Sequence, residues 1–214
     1  MGQRSLTLLI MATMLEARPF IPDLDLREST QTPFPIFRND RRILMISGIG
    51  KAHAAAATAY GCAVFNPGQV INAGAAGALD MDHPLGEIYQ IRKVIEHDRP
   101  HLLTNRPVSH KPAQMNGING AVLASGDRPV IDPGDRLQLS GLADLVDMEA
   151  AAVAQTCLTM GVPCYVFKLV SDALHHSNGI DIIKNIRSFR SRLSDFCLAA
   201  VLPILEGGRE KGDA

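Results

Sequence analysis

Tryptophan is absent from this chain of 214 residues, and aromatic residues of all kinds make up only 5%. A platform for single-stranded nucleic acid needs successive exposed rings, so that class is excluded. An excess of one charge is missing too. Lys and Arg number 21 against 22 Asp and Glu, a net charge of −1, so no broad field draws the chain to phosphate backbones or anionic lipid. No apolar run reaches the ~18 residues that a membrane span needs. Neither nucleic acid nor membrane is therefore expected as a partner. Cysteine is scarce: Cys62, Cys157, Cys164 and Cys197 sit in apolar settings without CxxC spacing, which reads as reduced buried thiols rather than disulfides or a metal site. His175-His176 and the scattered His97, His101 and His110 lack helical i,i+4 spacing and a cysteine partner, so no metal and no cofactor is expected. Leu6 to Leu15 is apolar, but the run ends in Glu16-Ala-Arg-Pro without a small-residue cleavage site and reads as a first core strand, not a signal peptide. Gly2 does not open a myristoylation signal, because position 6 is Leu. The expected location is cytoplasmic.

Hydrophobic residues make up 46%, enough for one core, and the length suits a single domain over 1–214 with a frayed charged tail from 207 to 214. Short apolar runs at Leu6–Thr13, Phe34–Phe37, Ile43–Ser47, Val70–Asn72, Gly86–Glu96, Ala121–Ser125, Leu145–Met148 and Pro163–Val170 read as strands. Helical patterns lie between them, at Lys51–Phe65, after Asp132-Pro133, at Glu149–Met160 and at Asp181–Leu205. Phe34 to Ser47, with Asn39-Asp40 at its centre, reads as a hairpin. The proline-rich stretch from Pro19 to Pro35 reads as a polar connection, Ala73–Gly77 as a small-residue turn, and His97–Asn119 as a loop or lid. Alternation of strands and helices predicts an α/β fold, a three-layer αβα sandwich on a central mixed sheet.

Two glycine-rich segments and three carboxylates carry the chemistry. Gly48-Ile-Gly50-Lys51 joins a strand to a helix. It lacks the third glycine of a dinucleotide fingerprint and the GK[ST] of a P-loop; the choice is between a tight turn and a close approach to a ligand. Ala73-Gly74-Ala75-Ala-Gly77 leaves the same choice open. Glu149 opens a helix, where a cap is the plain alternative to a binding role. Asp172 ends an apolar strand with no basic residue close downstream. Burial there favours the neutral acid, although a cap for the following segment fits as well. Glu16 follows the first strand and is either functional or an exposed charge beside Arg18. Ligands of open α/β sheets bind beyond the carboxyl ends of strands, where all three acids fall.

Gly48-Ile-Gly50, Asn72-Ala-Gly74, His97-Asp98, Ser125-Gly126-Asp127, Met148-Glu149 and Ser171-Asp172, in this order along the chain, resemble the nucleoside phosphorylase and nucleosidase family. The resemblance is closest to its methylthioadenosine/S-adenosylhomocysteine nucleosidases. It implies that Glu149 accepts hydrogen bonds from the ribose 2′- and 3′-hydroxyls, with Met148 against the sugar. It further implies that Asp172 is the general acid toward purine N7, that Ser171 orients it, and that Glu16 activates the attacking water. Gly74, Ala75 and Gly50 complete the implied substrate-binding set. Departures are Ala75 in place of a frequent serine, Lys168 in place of an arginine, and a segment between Asp98 and Ala121 shorter than in the methylthioadenosine enzymes. No cation stands in Ile71-Asn-Ala-Gly74, where family phosphorylases carry a phosphate-binding arginine. The implied activity is N-ribosyl hydrolysis of a purine nucleoside, such as 5′-methylthioadenosine, S-adenosylhomocysteine or another 5′-modified adenosine. Phosphate-dependent phosphorolysis, cleavage of futalosine or adenosylated hopanoids, and non-catalytic nucleoside binding are the alternatives. A homodimer is the expected assembly, its partner subunit completing the 5′ pocket over the short lid.

Overall fold

A computed structural model describes residues 6–104, 106–174 and 178–207. The expected frayed tail beyond Gly207, the pair His175-His176 and the segment before Leu6 fall outside the described residues. Strand β1 (Thr7–Met11) is buried at every position. It pairs in parallel with β4 (Arg42–Ile46) and β5 (Gln69–Ala78). Its unbroken apolar run follows from burial on both faces: Leu8 and Ile10 enter one core, Leu9 and Met11 the other. Thr13 and Glu16 then form a reciprocal capping box that starts the short helix α1 (Met14–Ala17).

The proline-rich connection holds more structure than its sequence announces. It contains α2 (Phe20–Asp23) and a largely exposed edge strand β2 (Arg27–Thr30), antiparallel to β3 (Ile36–Arg38). The β3–β4 hairpin is as expected. Helix α3 (Lys51–Phe65) ends at Asn66 in the left-handed region, φ 46°. Its alanines are partly explained by packing, since Ala54 and Ala57 are fully buried. At Gly61 a Cβ would lie 2.6 Å from Leu8 Cδ2, so glycine lets α3 sit directly on β1.

Two expectations are corrected along the next stretch. Ala73–Gly77 is not a turn but the middle of β5. The supposed lid begins as strand: β6 (Ile88–Pro100) runs through His97, and β7 (Pro107–His110) pairs with it antiparallel. Then come β8 (Gly120–Ser125), α4 (Pro133–Ser140) capped by Asp132, β9 (Leu145–Asp147), α5 (Ala150–Met160) and β10 (Cys164–Asp172). The long C-terminal helix is α6 (Gly179–Phe196), a π-helical turn over Cys197–Val201, and α7 (Leu202–Gly207). The wider turn precedes Pro203, whose ring an unbroken α-helix would not accommodate.

All ten strands form one mixed sheet in the order β10-β6-β8-β9-β5-β1-β4-β3-β2, with β7 beside β6. The α/β class with a mixed sheet is thus as expected, but the sheet is not open. β10 pairs with β6 on one side and β5 on the other, which closes β5, β10, β6, β8 and β9 into a ring. Helices α3 and α5 share one core with the sheet, and α1, α2 and α6 the other. All four cysteines are buried and free, and among the described residues no helix is long and apolar enough to cross a membrane. The Gly61 contact gives a direct check: Gly61→Val should destabilise the chain by roughly 1–3 kcal/mol through overpacking against Leu8, read from urea unfolding midpoints.

Candidate active site

Glu16 is 7% exposed, which rules out the surface charge. Its Oε2 accepts from the Thr13 main-chain N–H (3.1 Å) and hydroxyl (2.5 Å), while Oε1 accepts from the Ala75 N–H at 2.8 Å. The acid therefore bridges α1 and β5. A Cβ at Gly74 would lie 3.0 Å from Oε1, so the strand must be small here.

Glu149 occupies the N-cap position of α5 without capping it. Its Oε1 instead accepts from the Gly50 N–H, 2.9 Å away across the site. Asp147 does the capping, through Ala150 N–H at 2.9 Å. Gly50 has φ 98°, a backbone conformation that favours glycine. The neighbouring Lys51 N–H donates to Asp127 Oδ1 at 2.7 Å. Of the two readings left open for this turn, a tight turn or a close approach to a ligand, the N–H groups favour the first, being taken by the chain's own carboxylates. Asp98 Oδ1 meets Lys51 Nζ at 2.6 Å and its Oδ2 accepts from the Asp127 N–H at 2.8 Å, so the His97-Asp98 and Ser125-Gly126-Asp127 motifs fasten the Gly48–Lys51 turn.

Lys168 is 1% exposed and was absent from the expected site. It stands opposite Gly74 in the β10–β5 register, and its Nζ lies 2.8 Å from Asp147 Oδ2. The stretch Ile71–Gly74 itself carries no cation, as read, but β10 supplies one from the adjacent strand. Burial opposes the charge on Lys168, but Asp147, Glu149 and Glu16 outweigh it and raise its pKa. Burial, with repulsion from Asp147, pushes Glu149 up to about 7 against the pull of Lys168 and Gly50.

Asp172 is 4% exposed. Ser171 Oγ donates to its Oδ1 at 2.7 Å, and Arg136 Nη2 makes a short ion pair with Oδ2. No basic residue stands close downstream of Asp172, yet the structure gives the acid a basic partner. Arg136 arrives from α4, 36 positions upstream, where sequence proximity gives no warning.

Glu16, Ala75, Met148, Glu149, Ser171 and Asp172 all line one cavity of about 490 Å³; Gly50 and Gly74 stand behind it, holding Glu149 and making room for Glu16. Sequence reasoning missed much of the apolar wall, which comes from Leu15, Ile49, Val130 and, on α6, Ile182, Ile183 and Ile186. Elsewhere, Asp80, His83 and Asp144 hold ligand-type atoms within 4.8 Å of one another. None of them lines the cavity, and Asp80 Oδ1 already meets His83 Nδ1 at 2.7 Å.

The model of the Phosphorylase superfamily matches residues 28–118 and 119–203. The chain belongs to that superfamily. It is 34% identical over 155 residues to the 5′-methylthioadenosine/S-adenosylhomocysteine nucleosidase of Staphylococcus epidermidis, covering 61% of this chain and 68% of the relative. Against the nucleosidase of the same name from Hydrogenovibrio crunogenus it is 31% identical over 163 residues, 64% and 70% of the two chains. Among solved structures, the Arabidopsis thaliana 5′-methylthioadenosine nucleosidase superposes with TM-score 0.83 at 20% identity, covering 95% of this chain and 96% of that one. A Helicobacter pylori nucleosidase mutant with 5′-methylthioadenosine in its active site gives 0.82 at 21%, covering 93% and 98%. These superpositions establish the shared fold.

The raised Glu149 pKa has a stability consequence with a definite sign. The folded chain binds this proton more tightly than the unfolded chain. The resulting stabilisation is full below the ordinary glutamate range and is lost as pH rises through about 7. Glu149→Gln removes the titrating group, so from about pH 5 to 8 its urea midpoint should fall less than that of the unsubstituted chain.

Proposed function

We propose that this chain is an N-ribosyl hydrolase of purine nucleosides carrying a modified 5′ position, with 5′-methylthioadenosine and S-adenosylhomocysteine as the first candidates. The observation that carries the reading is a largely apolar cavity lined by four buried carboxylates, of which Asp147 is committed to Lys168 while Glu16, Glu149 and Asp172 are each held by different partners. The relatives named above are nucleosidases, which supports the same assignment.

In this mechanism Glu149 accepts hydrogen bonds from the ribose hydroxyls, with Met148 against the sugar. Asp172 gives its proton to N7 as the C1′–N9 bond breaks and its electron pair leaves with the base. Water attacks C1′ and passes a proton to Glu16, giving free purine and a ribose derivative. A neutral leaving base lowers the barrier, which is the role of general acid catalysis. Ser171 suits an orienting role because its hydroxyl has a second acceptor, Ala76 O at 3.3 Å. It can turn there while Asp172 Oδ1 carries the proton.

Water is favoured over phosphate by electrostatics. Lys168, the cation nearest Gly74, is committed to Asp147, and Glu16 and Glu149 lie in the same field. A phosphate dianion would meet several carboxylates there, and among the described residues the one guanidinium lining the cavity, Arg128, is paired with Asp135. Base release should therefore proceed without phosphate; a ribose 1-phosphate product and strict phosphate dependence would establish a phosphorylase instead. Asp172→Asn should lower kcat by ~10²–10⁴-fold while nucleoside binding largely survives, and an unimpaired variant would remove Asp172 from the acid role. A panel of 5′-modified adenosines, futalosine-type compounds included, ranks the 5′ group.

We also propose a homodimer. Val64 on α3, and Leu158 and Met160 on α5, are 54%, 75% and 42% exposed, apolar side chains on neighbouring helices that a second copy would cover. The isoleucines of α6 already furnish an apolar cavity wall within one chain, so the partner's contribution to catalysis is a separate matter. Light scattering at micromolar concentration should give twice the chain mass; a fully active monomer would exclude a completing subunit.

A further inference from the structure

We propose that Arg136 is a positioning residue for the acid, taking up the negative charge that Asp172 gains when its proton passes to the departing base. The inference rests on the nucleosidase reading above and adds a residue that reading does not contain. Arg136 is 0% exposed. Its Nη1 donates to Ala78 O at 3.0 Å, which anchors the guanidinium to the end of β5, and its Nη2 pairs with Asp172 Oδ2. Among the described residues, Asp172 is its only ion-pair partner. Asp172 lines the cavity and Arg136 does not, so the arginine touches the acid and not the substrate.

The two oxygens of Asp172 thus have separate surroundings. Oδ2 faces a fixed cation. Oδ1 faces a hydroxyl that can turn toward Ala76 O, and this leaves Oδ1 as the oxygen that carries the proton. When that proton moves to N7, with the glycosidic electron pair leaving on the base, the full carboxylate forms between Arg136 and Ser171. A guanidinium already in place stabilises charge that develops in the transition state, with no reorganisation at the moment of reaction. Its planar fork, with one nitrogen on Ala78 O and another on Oδ2, also fixes the carboxyl plane in a way a lysine ammonium does not.

The test compares two leaving groups on one sugar: a 5′-modified adenosine, whose base needs a proton, and the matching p-nitrophenyl riboside, whose phenolate leaves without one. Arg136→Gln should lower kcat for the nucleoside about 10²-fold, with KM within about threefold. The same variant should lose far less on the nitrophenyl riboside, and Arg136→Lys should recover part of the nucleoside rate. Equal losses on both substrates would overturn the proposal, because a merely structural ion pair disturbs both alike. If circular dichroism shows that the single variants do not fold, Asp172→Asn combined with Arg136→Met removes both charges together. That pair should be no slower on the nucleoside than Asp172→Asn alone, and any further loss would show that Arg136 acts other than through Asp172. Failure of the nucleosidase reading is seen separately, as no base release by the unsubstituted chain from any 5′-modified adenosine, and it takes the proposal with it.

Discussion

Lys168 puts a full positive charge inside a strand that is otherwise apolar up to Ser171, and much of the site's arrangement depends on how that charge is met. An isolated buried ammonium costs several kcal/mol in lost hydration. Asp147 answers it at 2.8 Å, and the same carboxylate accepts from Ala150 N–H at the start of α5 and from Ser125 at the end of β8. One ion pair therefore fastens β10, β9, β8 and α5 together at the point where the sheet closes. Removing either partner would leave an uncompensated buried charge, a loss of about 3–5 kcal/mol. The same cation makes the neighbourhood tolerable for Glu16 and Glu149, which would otherwise repel one another and Asp147 across the cavity.

Three acids of one chemical type acquire three environments from these constraints. Glu16 is tied to Thr13 and Ala75, Glu149 to the Gly50 N–H in a setting that raises its pKa to about 7, and Asp172 lies between a serine hydroxyl and a guanidinium. Separation of roles among like groups by environment is how one fold runs acid and base chemistry near neutral pH. The supporting cast is positional. Gly50 and Asp127 hold the turn that presents the Gly50 N–H, and Ala78 O holds the guanidinium.

Much of this was legible in the sequence, and the remainder was hidden for identifiable reasons. Helix α3 reads with its observed boundaries because alanine is the best helix former and Asn66-Pro67-Gly68 stops it. Met148-Glu149 and Ser171-Asp172 read as site residues because both pairs fall at the carboxyl ends of apolar strands, where ligands of α/β sheets bind, and match the family's motifs. Arg136 did not, because a surface-looking helix with exposed Leu137 gives no sign that one of its charges points inward to a strand 36 residues away. The closed ring was hidden because it depends on β10 pairing with two strands at once, and pairing leaves no local trace in composition. The α6 isoleucines read as one face of an amphipathic helix, which they also are.

The misread turn at Ala73–Gly77 shows how the site writes itself into the strand beneath it. Glycine and alanine are poor strand residues, lacking side chains that pack on a pleated surface, so a run of five argues against a strand on propensity alone. The carboxylates supply the missing term. A Cβ at Gly74 would stand 3.0 Å from Glu16 Oε1, and one at Gly77 would stand 2.7 Å from Asp172 Oδ2. Two different acids, arriving from α1 and β10, thus require β5 to be bare at positions three residues apart. The strand is held by its pairing with β1 and β10 rather than by its own propensity. Its poverty in side chains is therefore a consequence of the acids it carries, and that composition is itself a mark of the site.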